Sequence, residues 1–369
     1  MIIVLTFIIA FLSSLLLHPK MVEIAKKQGI TDKPNKRKLQ REPVPVLGGL
    51  VVFFGITLGI GLTTFDISYR DFMLVFAMMV VMLYTGALDD VSGLSAAKRF
   101  LIEIFVTLML IFSGGYAIND FHGLWGIELV SLWIAVPLTI ITVVGIINAI
   151  NLIDGVDGLS SGYCIMASAF FALYFCLDND TAMASLAMGC IGALIPFFVY
   201  NVFGNKSKMF IGDGGTLLMG IILSIFVLRI ISCHYMSFNT NILTESPTLD
   251  VRMARPFDVS NFGLVPFTLA ILSLPVIDTL RVMISRILHH TSPFAPDKTH
   301  LHHAFIGCGL THLMTTMSIL AMNFLIIILW YVLYKCGVSI DVQLYAVVGT
   351  AIAADLIVYY TCMRQAKRG

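Results

Sequence analysis

Apolar residues gather into long unbroken runs along this chain instead of alternating with polar ones. The runs cover 2–18, 46–64, 72–88, 100–113, 129–147, 161–177, 182–200, 214–232, 262–280, 316–334 and 342–363. A helix that crosses a bilayer needs about 20 such residues, with a range of about 17 to 25. The run at 100–113 is the weakest, being short and carrying Glu103. The pattern predicts an all-α integral membrane protein, a polytopic bundle of about 11 transmembrane helices joined by cytosolic loops, with about ten if the weak run fails. Residues 2–18 have no basic stretch before them, and their positive charges follow the run, so they read as a retained first helix and not a cleaved leader. No internal repeat with a period of about 20 to 50 residues is visible. Residues 1–369 therefore read as a single membrane-embedded domain.

The polar stretches between the runs are short and chemically pointed. One reads Asn148-Ala-Ile-Asn151-Leu-Ile-Asp154-Gly-Val-Asp157-Gly158. An unpaired carboxylate in hydrocarbon is costly, so Asp154 and Asp157 must meet water, a cation or a substrate. The two glycines let the chain turn and let a ligand approach the backbone. Asn148 and Asn151 are three residues apart and share one face of a helix end. The stretch is either a polar membrane loop or one wall of a polar site. Others are Asp89-Asp90, Phe210-Ile-Gly-Asp213-Gly-Gly-Thr216, the run Thr31-Asp32-Lys33-Pro-Asn-Lys-Arg-Lys-Leu-Gln40-Arg41, and Asp297-Lys-Thr-His300-Leu-His302-His303.

Composition fits the pattern. The chain is 58% hydrophobic and 12% charged, about half the charge of a soluble domain. A net charge of +1 gives no global field to attract nucleic acid. The seven cysteines are scattered without a C-x-x-C pair, which argues against a zinc ribbon, a redox motif or a disulfide framework. Of the 23 lysines and arginines, all but Arg70, Arg229, Arg252, Arg255 and Lys335 fall on alternate connections, beginning after the first helix. The excess marks the cytosolic side, so the N-terminus is expected outside and the C-terminus inside. Every polar motif falls on the cytosolic side of that map. The distribution implies one site, open to the cytosol and assembled from several segments.

The chemistry of the parts narrows the choice. Asp89-Asp90 closes the third run, where a helix C-terminus disfavours negative charge, so a cation such as Lys98 or a metal is expected beside it. Asp213 precedes a helix start and reads either as an ordinary N-cap or as a ligand for a hard cation. The spacing is not that of a Walker loop. Three histidines within four residues admit zinc, a grip on phosphate, or a solvated loop. The carboxylates and amides elsewhere suit magnesium better than zinc. Together the set suits phosphoryl chemistry between a water-soluble nucleotide and a membrane-held acceptor.

At these residues the chain resembles the bacterial polyprenyl-phosphate N-acetylhexosamine-1-phosphate transferases, from about residue 19 to about 315. The matching stretches are Asp32-Lys-Pro-Asn with Arg37-Lys and Pro45-Val-Leu-Gly-Gly, Gly86-Ala-Leu-Asp89-Asp90, Asn148 to Gly158, Asn201 with Phe210-Ile-Gly-Asp213, and Ser292-Pro-Phe-Ala-Pro-Asp297 with His300-Leu-His302-His303. The last resembles the branch that uses UDP-N-acetylglucosamine to start O-antigen, common antigen or teichoic acid linkage units. The resemblance implies transfer of N-acetylglucosamine 1-phosphate from UDP-GlcNAc to undecaprenyl phosphate, with release of UMP, in the bacterial inner membrane. It also implies magnesium, or manganese in its place. Another UDP-N-acetylhexosamine or phospho-MurNAc-pentapeptide as donor stays open, as does a homodimer. By the same resemblance Asp213 is the metal ligand. Asp89, Asp90 and His302 are the catalytic candidates. Lys33, Lys98, Asn148, Asn151, Asp154, Asp157, Asn201, His300 and His303 are the substrate-binding ones. Asp278 also matches a family aspartate. Gln40 stands where the family often has histidine, and Gly-Asp-Gly-Gly-Thr replaces Gly-Asp-x-Gly-Ser. Two other classes are weighed. A CDP-alcohol phosphatidyltransferase needs Asp-Gly-x-x-Ala-Arg, whereas Asp154-Gly is followed by Val-Asp-Gly. A secondary transporter would place polar residues near the midplane and often repeats itself; Glu103 and Asp355 are the hints in that direction.

Overall fold

In a computed structural model, residues 1–32, 43–63, 69–204, 206–232, 261–292 and 299–366 are described. Lys33, Gln40, the basic loop around them, Cys233, the 233–260 connection and the Pro293–Lys298 part of the histidine motif lie outside the described residues. Among the described residues twelve α-helices follow in order: α1 (Ile2–Gln28), α2 (Gly48–Gly61), α3 (Tyr69–Ser92), α4 (Ala96–Gly114), α5 (Leu132–Leu152), α6 (Leu159–Leu177), α7 (Thr181–Phe203), α8 (Gly212–Ile231), α9 (Leu264–Leu288), α10 (Leu301–Gly307), α11 (His312–Lys335) and α12 (Ile340–Ala366). The only sheet among the described residues is a two-residue antiparallel ribbon, β1 (Thr31–Asp32) with β2 (Val44–Pro45).

Each apolar run is a helix, and nine of the described helices are long and apolar enough to cross a membrane. The two other runs are α2, with 14 residues, and α4, which carries Lys98, Arg99 and Glu103. Large apolar side chains such as Leu16, Phe105, Ile141, Leu325 and Ile357 are exposed, as lipid-facing positions of a bundle must be. The chain ends α1, α3, α5 and α7, and begins α2, α4, α6 and α8, at one face of the bundle. The opposite face joins Thr6 to Thr63 at 2.7 Å, Asp180 to Arg229 at 2.7 Å and Asp341 to the Trp125 backbone at 2.7 Å.

Helix α8 is the axis. Nearly all its residues are buried, and it packs on α2, α3, α5, α6 and α9. A helix apolar on all sides must be surrounded. Glycines bring its neighbours close: a side chain at Gly86 would run into the Asp213 and Gly214 backbone, and one at Gly49 into Gly215. Helix α9 is interrupted by Pro275, which has no N–H for the Ile271 carbonyl. Tyr163 and Asn323 supply the missing donors at 2.6 Å and 3.0 Å. In hydrocarbon such a replacement is obligatory.

Candidate active site

The helix ends at the first face enclose a cavity of about 630 Å³, a volume that suits a small-molecule ligand. Asp32, Asp89, Asp90, Asp154, Asp157 and Asp213 line it, and so do Asn201, Lys208, His303 and His312. The motifs therefore converge, although their residues sit on helix ends more than on loops. Lys98 is exposed and does not line the cavity. Asn148, Asn151, His300 and His302 lie behind its wall.

The two neighbouring aspartates of α3 are held differently. Asp89 accepts from the Leu94 backbone at 2.7 Å and from Arg99 at 3.3 Å. The cation expected at Lys98 is thus Arg99, because the first turn of α4 aims the next residue inward. Asp90 accepts from the Asp213 N–H at 2.9 Å and the Gly214 N–H at 3.1 Å. It caps α8 from another helix, where the amide dipoles favour negative charge. Asp213 is consequently not the cap. It sits in the first turn of α8, with one carboxylate oxygen accepting from Asn151 Nδ2 at 2.6 Å.

Asp154 and Asp157 share a turn but not an environment. Burial pushes the Asp154 carboxyl up to about 7, and Asp213 and Asp157 add to the push while the Ser160 hydroxyl, which donates to it, opposes. Burial also pushes Asp157 up, but His312 and Lys208 outweigh it and leave the group below the ordinary carboxylate range. Lys208 Nζ stands 2.6 Å and His312 Nδ1 2.9 Å from the same oxygen. Neither was singled out in the sequence: Lys208 lies just before the Phe210 motif, and His312 nine residues past the last motif histidine. Asn201 ties the turn to the next loop, accepting from Gly158 N–H at 2.7 Å and donating to the Met209 carbonyl at 2.9 Å.

His300, at the N-cap, and His302 and His303 open a short helix, α10. Asp278 accepts from the Leu301 N–H at 2.9 Å and pairs with His300 Nδ1 at 2.8 Å, so His300 is committed to α9. His302 is buried and its ring closes over Gly155, where a Cβ would collide with it. That contact places it behind Gly155, off the cavity surface. His303 alone of the three faces the cavity. The intramembrane acids are also partnered. Glu103 accepts from Asn148 at 2.6 Å and faces Arg99 at 3.6 Å, and Asp355 pairs with Arg281.

The lining offers oxygen donors and no cysteine. Among the described residues no three of histidine, cysteine, aspartate and glutamate are arranged to hold a metal by themselves. The oxygen donors of the lining are the chemistry of a hard cation and not of a thiolate zinc site.

The fold and the cavity describe a helical membrane protein with a carboxylate-lined site at one face, and the comparisons give its class as a transferase. The sequence profile of glycosyl transferase family 4 matches residues 72–231. A probable undecaprenyl-phosphate N-acetylglucosaminyl 1-phosphate transferase of Bacillus subtilis is 32% identical over 324 residues, 88% of this chain and 82% of the relative. The undecaprenyl-phosphate alpha-N-acetylglucosaminyl 1-phosphate transferase of Escherichia coli K12 is 29% identical over 78% of this chain and 72% of its own. The Pasteurella multocida protein of the same name is 32% identical, with 84% and 79% covered. This chain belongs to glycosyl transferase family 4.

Proposed function

We propose that the chain transfers N-acetylglucosamine 1-phosphate from UDP-GlcNAc to undecaprenyl phosphate, releasing UMP, at the cytosolic face of the bacterial inner membrane. This would be the first membrane step of a cell-surface polysaccharide. The observation that carries the reading is the carboxylate-rich cavity at one end of the bundle, together with relatives that bear this activity in their names.

An acidic cavity repels a diphosphate unless a cation comes with it. Magnesium, or manganese in its place, held by Asp213 beside Asp154, would neutralise the diphosphate oxygens as a Lewis acid. The remaining work belongs to side chains. Asp157, fixed by Lys208 and His312, takes the nucleoside. His303 meets the diphosphate. Asp89, anchored by Arg99, faces the acceptor. A phosphate monoester has its second pKa near about 6, so the acceptor is already mostly dianionic and needs aiming more than deprotonation. Its oxygen attacks the β-phosphorus directly, and the bond to UMP breaks. The hints of a transporter lose their motive, because Glu103 and Asp355 are both partnered.

Purified protein given UDP-GlcNAc, undecaprenyl phosphate and magnesium should release UMP, and Asp213→Asn should reduce that by about 10²–10³-fold. Release from another UDP-N-acetylhexosamine alone would overturn the donor assignment. Undiminished activity after thorough chelation would overturn the role of the metal.

A further inference from the structure

We infer that Arg99, backed by Glu103, is the positioning residue of the site: it fixes the amides of Asn148 and Asn151 and, through Asn151, aims Asp213 at the cavity. The inference rests on the proposed transfer reaction for its kinetic readouts only.

Arg99 does not line the cavity. Its guanidinium is spent on groups from three helices. Nη1 donates to Asp89 of α3 at 3.3 Å and to Asn151 Oδ1 of α5 at 3.4 Å. Nη2 donates to Asn148 Oδ1 at 3.1 Å. Nε faces Glu103, one turn along α4, at 3.6 Å. A planar fork with fixed donor directions suits this task, and a lysine would not serve it.

Each asparagine has two amide orientations, and Arg99 permits one. A guanidinium offers only donors, so it takes the amide oxygens and turns both NH₂ groups the other way. Asn148 Nδ2 then meets Glu103 Oε2 at 2.6 Å. Asn151 Nδ2 meets Asp213 Oδ1 at 2.6 Å and Thr216 Oγ1 at 2.8 Å. Reversed, Asn151 would present an oxygen to the Asp213 carboxylate. Glu103 completes the device. It is fully buried, and it holds both Arg99 and the far end of the Asn148 amide. A buried ion pair is a poor way to gain stability alone, but it sets an orientation well.

A purely structural pair would hold α3, α4 and α5 together and do nothing else. The two roles separate in Arg99→Gln and in the double variant Arg99→Gln with Glu103→Gln. Removing Arg99 alone strands a buried carboxylate, so thermal stability in detergent should fall. The double variant removes that charge and should regain stability. Its kcat should nonetheless stay about 10²-fold below wild type, with the KM for UDP-GlcNAc unchanged. Mn²⁺ binding in the presence of UDP, followed by electron paramagnetic resonance, should weaken by about 10–100-fold. Recovery of kcat along with stability would overturn the inference and leave a structural pair. A raised KM with intact kcat would also overturn it, placing Arg99 on the substrate instead. If the wild type does not turn over UDP-GlcNAc, the donor assignment fails, while Mn²⁺ binding still decides the role of Arg99.

Discussion

Asp89 and Asp90 are adjacent in sequence and separate in task. One is anchored by a guanidinium, the other by the amides that open α8. Their presence was legible because two carboxylates at a helix C-terminus need an explanation. Their partners were not, because Arg99 and the α8 amides reach them only through tertiary packing. His302 makes the same point. A motif histidine invites a catalytic role, yet burial, then His303 and His300, pushes its imidazole down to about 3 from an ordinary 6.5. The folded state therefore binds fewer protons than the unfolded chain between those values. The stability that this group contributes is whole above about 6.5 and is lost as pH falls toward about 3. His302→Phe should lose less melting temperature than wild type between about pH 7 and about pH 5. Parallel melting curves for the two proteins would count against a buried neutral imidazole.

Elements follow the hydrophobic pattern where the pattern is long, and depart from it where charges are paired. Helix α4 reads as the weakest run because of Glu103, but that residue is tied to Asn148 and Arg99, and a hydropathy count cannot see a pairing partner 45 residues away. Helix α10 was not legible at all. Its seven residues are too few to be helical alone, and its start depends on Asp278 of α9. The glycines around α8 were legible only as permissive residues. Their reason is the close approach of backbones from α2 and α3. Gly86→Ala puts a methyl against the Asp213 and Gly214 backbone and should destabilise by about 1–3 kcal/mol. A thermal melt in detergent checks this, and an unchanged melting temperature would mean that α3 can retreat from α8 without cost.

Over the whole molecule, the one-sidedness of the polar motifs was legible from the sequence, because charge and apolar runs together fix which connections share a face. The cavity was not, since its walls join residues as distant as Asp32 and His312. Orientation is open to a direct check. Helix α11 starts at the cavity with His312 and ends at Lys335, so the exposed Cys336 belongs to the opposite face. In intact cells an impermeant maleimide should modify Cys336 and spare Cys308; the reverse pattern would turn the protein over in the membrane. The borrowed cap on α8 has a further consequence, which concerns the order of biogenesis. Helix α3 enters the bilayer long before α8 is synthesised, and until they dock Asp90 lacks the amides it caps and Asp213 lacks its neighbours. A nascent chain therefore carries Asp90 and Asp213 without their shared geometry until α8 docks, and the cavity closes only once α10 and α11, which bring His303 and His312, follow.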